Sequence, residues 1–207
     1  MNYCIAGIHT GIGKTVCSAV ICQALGYDYW KPVQAGDPEH SDSIFIRDNV
    51  DNPQCTIHPE KYKLLTPASP HYAAEIENIN IKRDDFILPP SQNNIIVETA
   101  GGLMSPLSSD FLNIDLIEYL KLPVILVSNN YLGSINHTLL SYRCLRERKI
   151  PVAGLVFSGK TMPSSEEMIL QYTQCPLLFS IPEFESLDKD TIRGFVSNNR
   201  IRLSADE

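Results

Sequence analysis

The segment GIHTGIGKT, Gly7 to Thr15, sets glycines at 7, 11 and 13 directly before a lysine and a threonine. Such glycines let the chain turn tightly, so that successive N–H groups converge on phosphate oxygens, and the positive end of a following helix adds to the attraction. Lys14 is placed to lie along the β- and γ-phosphates of a nucleoside triphosphate, and Thr15 supplies the hydroxyl that such loops give to Mg2+. Gly11, Ile12 and Gly13 form the cradle, and Val16, in the first turn of the helix behind it, is also expected at the nucleotide. Gly7 and Gly13 are separated by five residues where the common pattern has four. The strand before and the helix after favour nucleotide binding over a plain glycine-rich turn with an exposed lysine.

A bound triphosphate needs a divalent cation with oxygen ligands, so acidic residues at strand ends are the next to seek. Glu98 closes the apolar run NIIV and precedes TAGG, in which Thr99, Ala100 and Gly101 are small enough for the backbone to approach a ligand. An acid ending a buried strand is costly unless paired or metal-bound, which separates Glu98 from a solvated rim residue. Asp42, in HSDSIFI, reads first as a helix N-cap, since Ser-Asp before an apolar stretch has that composition. Lys31 ends a second strand in YWKPVQAG, where Pro32 stops regular structure. A lysine aimed at the top of a sheet can stabilise charge on a transferring phosphoryl group, so replacing Lys31 should abolish turnover with little loss of folding. Trp30 reads as core or wall. His71 and His137 join no Ser/His/Asp or metal set and read as structural.

These residues require strands that end together and helices that begin there. The runs NYCIAGI (2–8), YDYWKP (27–32), NIIVET (94–99), PVILVSN (123–129) and VAGLVFS (152–158) are β-rich, and several are continuously apolar, as in strands buried on both faces of a parallel sheet. Helical stretches fall between them: Lys14 to Leu25, Ser69 to Ile76, Phe111 to Leu120, Ile135 to Lys149 and Ser164 to Tyr172. The expected fold is α/β, a mostly parallel sheet with helices on both faces, similar to phosphate-loop NTPases. A chain of 207 residues suits one domain, 1–207. ILPPSQNN (87–94) reads as a loop between a helix and a strand, and the polar stretch 186–207 is expected to be disordered from about residue 195.

With 17 basic against 24 acidic residues the formal charge is -7, which argues against bulk attraction to nucleic acid or anionic lipid. Apolar runs such as LPVILVS (122–128) fall far short of the ~20 residues that span a bilayer. The first residues show neither the basic start nor the small-residue cleavage site of a secretory signal, so a cytoplasmic protein is expected. Six scattered cysteines without a CxxC pair fit reduced thiols, with Cys4, Cys17 and Cys22 serving as small apolar residues.

The ordered set GIHTGIGKT, YWKPVQAG, HSD, TPASPHYAA, VETAGG, PVILVSNNYLGSINHTLL and IPEF resembles the dethiobiotin synthetase family, nearly end to end through Phe184. The resemblance implies a cyclo-ligase that makes dethiobiotin, ADP and phosphate from 7,8-diaminopelargonate, CO2 and MgATP. One amine takes up CO2 as a carbamate. The carbamate attacks the γ-phosphate, and the second amine displaces phosphate from the mixed anhydride to close the ureido ring. By position in the family's motifs, Lys14 and Lys31 are the catalytic cations and Thr15, Asp42 and Glu98 hold Mg2+. Thr10, Lys31 and Ala35 would meet the substrate. Gly133, Ser134, Ile135 and Asn136, at a helix start, would receive its carboxylate across a homodimer interface. Ser158, Gly159, Pro182, Glu183 and Phe184 would form the purine wall.

Four positions depart from the family pattern. Gly11 stands where many relatives carry an acid, and Ala35 where a serine is usual. Thr99 replaces a glycine of EGAGG and is expected to crowd the backbone near the phosphates. Ser158 replaces an asparagine whose amide reads both polar edges of adenine, so weaker base selectivity is expected. Three alternatives stand beside this reading: an amidoligase-like ATPase, a nucleotide-switched dimer that binds partners, and a regulatory relative without turnover. Retention of Lys14, Thr15, Lys31, Asp42 and Glu98 favours the enzyme.

Overall fold

Val, Ile and Leu dominate the runs that form the central strands, because β-branched and apolar side chains pack on both faces of a sheet that helices cover. The computed structural model describes residues 1–203. In chain order its first half comprises β1 (Tyr3–Gly7), α1 (Lys14–Leu25), β2 (Asp28–Trp30), β3 (Val33–Ala35), α2 (Asp42–Asn49), β4 (Ile57–His58), β5 (Tyr62–Leu64) and α3 (Pro70–Ile76). There follow β6 (Ile95–Gly102), β7 (Pro106–Ser108), β8 (Phe111–Leu112), α4 (Asn113–Leu120), β9 (Val124–Asn129), α5 (Ser134–Glu147), β10 (Val152–Ser158), α6 (Pro163–Thr173), β11 (Leu177–Ile181) and α7 (Lys189–Asn198).

Seven strands form one parallel sheet in the order β11-β10-β9-β1-β6-β2-β4, with helices on both faces. Strand β1 is central, and its register sets Ile5 opposite Glu98 of β6 and opposite Ile125 of β9. From β1 the chain moves outward to β2 on one side, whereas β6 leads across β1 to β9 on the other. A crevice opens at such a switch point, and the loop after β1 lies at its mouth. Helices α1, α2 and α7 pack on one another, and α5 packs on α6.

The five expected strands and the helix Lys14–Leu25 are present. The helix expected from Phe111 starts at Asn113, because Phe111 is buried against Phe86 at 5.7 Å between ring centres and pairs in β8. Asp115 accepts from the Leu112 N–H at 2.8 Å, which caps the helix at that point. Ser91 and Asn93 in the expected loop 87–94 both donate to the buried Asp28, and so tie the loop to β2. The expectation of disorder from about residue 195 is corrected for part of the tail: Phe195–Asn198 belong to α7, and Ile201 and Leu203 are buried. Residues 204–207 of that stretch lie outside the described residues.

Because Leu203 is 1% exposed, Leu203→Ala should lower the unfolding free energy by about 2–5 kcal/mol, read from denaturant titration. A shift under about 0.5 kcal/mol would mean that the tail does not pack in solution.

Candidate active site

The phosphate loop depends on close approach. A Cβ on Gly7 would lie 2.7 Å from Ile12 Cδ1 and 3.0 Å from Lys14 Cδ, so only glycine lets the lysine stem lie over the strand end. Gly13 has φ 91°, and a Cβ there would meet Ser158 Oγ at 2.4 Å. Lys14 is buried and donates to the His9 carbonyl at 3.1 Å, across its own loop. Burial pulls its ammonium below the ordinary lysine value, an effect the Glu98 charge partly opposes. Ile12 is also buried, so its side chain supports the loop from below and only its backbone faces a ligand.

Behind the loop, Thr15 Oγ1 lies 2.7 Å from Asp42 Oδ1 and 2.9 Å from Glu98 Oε1. Lys31 Nζ forms an ion pair with Asp42 Oδ2 and reaches Glu98 Oε1 at 3.4 Å. Burial alone would lower the Lys31 pKa, but the Glu98 and Asp42 carboxylates reverse this and hold the ammonium above its ordinary value. Burial would raise that of Asp42, and the charge and hydrogen bond of Lys31 outweigh it, so the carboxyl lies below its ordinary value. The N-cap of α2 is Ser41, whose Oγ accepts from Ile44 N at 3.4 Å. This corrects the capping role for Asp42, which is the first helical residue and is left free to face Lys31.

Sequence reasoning missed two hydroxyls on Glu98. Ser18 Oγ and Tyr29 OH reach Oε2 at 2.8 and 3.0 Å, and both residues are fully buried. Burial, with the Glu98 charge, holds the Tyr29 phenol well above its ordinary pKa, so it stays a donor. Helical spacing from Thr15 and strand alternation with Lys31 were signals for the pair.

Two clefts flank this cluster. A groove of about 590 Å³ is lined by Gly11, Gly13, Thr15, Val16, Asp42, Ser158, Gly159, Pro182, Glu183 and Phe184, all expected at the nucleotide. It adds Asn129, Asn130 and Lys160, which sequence reasoning missed because they lie at or just past the ends of β9 and β10. A second cleft of about 480 Å³ holds Thr10, Lys31, Ala35 and Asp42 together with Gln34 and Ser105. Ala100 and Gly101, expected near a bound nucleotide, line this second cleft and not the first groove. Thr99 lines neither: its hydroxyl donates to the Ile5 carbonyl at 3.3 Å inside the sheet, because it alternates with Glu98 along β6, so its side chain enters neither cleft.

The other expected residues lie apart. Gly133, Ser134, Ile135 and Asn136 form the start of α5 and line neither cleft of their own chain. Ser134 N–H is taken by the Tyr131 carbonyl at 3.0 Å, so the donors left in that first turn are Ile135 and Asn136. Trp30 is buried and donates to the Pro59 carbonyl. His137 bonds to Tyr131 and His71 to Ser69, as structural histidines do.

Among the described residues no group of three or more His, Cys, Asp or Glu is placed to hold a metal. The oxygen set of Thr15, Asp42 and Glu98 nevertheless suits a hard divalent cation that also takes phosphate and water as ligands.

Comparison with known proteins gives three kinds of match. The family described as "AAA domain" matches residues 1–191. The ATP-dependent dethiobiotin synthetase BioD of Christiangramia forsetii is 42% identical over 202 residues, covering 98% of this chain and 97% of that one. The protein of the same name from Cytophaga hutchinsonii is 43% identical over 195 residues, covering 94% of each. A ParA family ATPase from Chlorobium tepidum shares the fold at a TM-score of 0.59 and 14% identity, over 96% of this chain and all of that one.

Lys31 is 4% exposed and neutralises two carboxylates, which revises the expectation that its loss would spare folding. Lys31→Met should cost the ligand-free protein about 3–5 kcal/mol in denaturant titration, and an unchanged midpoint would refute the pairing. The Asp42 pKa is depressed on folding, so its stabilising effect holds above the unfolded value of about 3.9 and is lost as pH falls through the folded value. Asp42→Asn should remove that part of the acid-side loss. Lys31, raised on folding, stabilises below the unfolded lysine value and loses this as pH rises through the folded one.

Proposed function

The chain belongs to the ATP-dependent dethiobiotin synthetases, the ligases that close the ureido ring in biotin biosynthesis, and we propose that its two clefts divide that reaction between MgATP and a diamine. The observation that carries this division is Asp42, which lines both clefts and pairs with Lys31. The nucleotide occupies the larger groove, with its phosphates on the backbone of Gly11 to Gly13. The cleft with Thr10, Lys31 and Ala35 takes 7,8-diaminopelargonate, one amine of which carries CO2 as a carbamate.

Attack of the carbamate oxygen on the γ-phosphate brings two anions together, so the catalytic task is positioning and charge neutralisation. Lys14 leaves the His9 carbonyl for the phosphates, and Lys31 faces the point where carbamate and phosphate meet. Thr15, Asp42 and Glu98 would hold Mg2+, which when bound neutralises phosphate charge. The second amine then displaces phosphate, and the mixed anhydride becomes the cyclic urea.

The substrate carboxylate fits the first turn of α5 from a second copy, where the Ile135 and Asn136 N–H groups have no acceptor within the helix. Exposed Leu132 and Leu140 beside that turn support a homodimer with the site at its interface. No helix among the described residues is long and apolar enough to cross a membrane. Six free cysteines fit the reducing cytoplasm and a single domain throughout.

Phosphate release from MgATP and bicarbonate should depend on 7,8-diaminopelargonate, and Lys31→Met should lower the rate by about 10²–10³. Release that ignores the diamine would favour another ATPase. Because the Ser158 hydroxyl ends against Gly13, GTP and CTP should compete with ATP in the same assay. Strict preference for ATP would point to Asn129, the partner of Ser158 in the β9–β10 register, as the reader of the base.

A further inference from the structure

Building on the Mg2+-dependent reading above, we propose that Ser18 and Tyr29 are positioning residues that divide the two oxygens of Glu98 between an anchoring and a reacting role. Oε2 accepts from Ser18 Oγ at 2.8 Å and from Tyr29 OH at 3.0 Å. Oε1 is left to Thr15 Oγ1 at 2.9 Å and Lys31 Nζ at 3.4 Å. The terminal torsion of a glutamate is soft, so without fixed donors the carboxylate could tilt away from Thr15 and Lys31. Two hydroxyls on one oxygen fix the plane of the carboxylate and so the direction of the other.

The anchors are built to last. Ser18 and Tyr29 are both 0% exposed, so water has no ready path to replace a lost donor. The single Ser18 proton has a rival acceptor in the Lys14 carbonyl at 3.0 Å, and the charged carboxylate is the stronger of the two. Position in the chain adds a further argument. Ser18 follows Lys14 by one helical turn in α1, and Tyr29 precedes Lys31 by two residues at the end of β2. The two elements that carry the cations therefore also aim the carboxylate between them, and any shift of either is felt at Oε1.

The test uses Tyr29→Phe, Ser18→Ala and the double variant in the full chain. Mn2+ binding to the protein–ADP complex is read by electron paramagnetic resonance, and ADP binding in chelator by calorimetry. Each single variant should weaken Mn2+ by about tenfold and the double variant by up to about 100-fold, with metal-free ADP affinity unchanged. The Mg2+ concentration for half-maximal phosphate release should rise in step. Wild-type Mn2+ affinity in all three variants, even with a lowered thermal midpoint, would make the hydroxyls structural and overturn the proposal. Tyr29→Phe keeps the ring and removes one oxygen, so it carries the test alone should Ser18→Ala fail to fold. Wild-type protein that binds no Mn2+ with ADP would instead fail the metal-dependent reading, and the anchoring with it.

Discussion

A carboxylate withdrawn from water must be met by opposite charge and by hydrogen-bond donors, and the Glu98 side chain, 1% exposed, meets both at once. Its partners come from two elements and the residue after the second: Thr15 and Ser18 from α1, Tyr29 from β2, and Lys31 just beyond β2. Asp42 joins at the start of α2 through Thr15 and Lys31. The ends of these elements therefore share a charge balance, in addition to the apolar core beneath them. Stability and chemistry are thereby coupled at Lys31, which serves as counter-ion in the resting protein and faces the cleft where an anionic substrate would lie.

The parallel sheet explains why such a cluster can exist at all. The parallel register sets Glu98, midway along β6, between the end of β2 and the start of α1, below the loop that follows β1. Glycine at 7 and 13 lets that loop press on the strand ends, so Lys14 can be buried and still reach outward. Bulk electrostatics oppose the binding of a polyanion by a chain of charge -7. Local N–H groups and two ammonium groups must do what net charge cannot.

Legibility from sequence followed range. The apolar runs of β1, β6, β9 and β10 and the helix after the glycine loop were readable because their signals are local and strong. Strands β4 and β8 have two residues each and depend on their partners, so no period betrays them. Lys14, Thr15, Lys31, Asp42 and Glu98 were all named in advance, yet the role of Asp42 could not be read from HSDS, since Ser41 and Asp42 suit a cap equally. Only the helix geometry gives the cap to Ser41. Tyr29 and Ser18 escaped because a hydroxyl in a buried apolar run looks like core until its acceptor, about 70 or 80 residues away in sequence, is known to face it. Thr99 is small and next to Glu98, yet it alternates to the other face of the strand, which only the strand's placement reveals.

Lys31 and the proposed metal also have opposed requirements, and these bear on the order of events. In the resting protein the Lys31 ammonium already satisfies oxygens of Asp42 and Glu98, the same residues that would ligate Mg2+. A second cation brought to that place repels the first. On the proposed reading, bound MgATP would weaken the hold of the carboxylates on Lys31, whose side chain also lines the cleft with Thr10 and Ala35. A carbamate in that cleft would then give the ammonium a second set of anions, and one flexible side chain would link the two clefts. Glu98 is held by its far oxygen, whereas the lysine would be the part free to change partners. A rigid arginine fork in place of Lys31 would suit the resting pair and hinder the exchange.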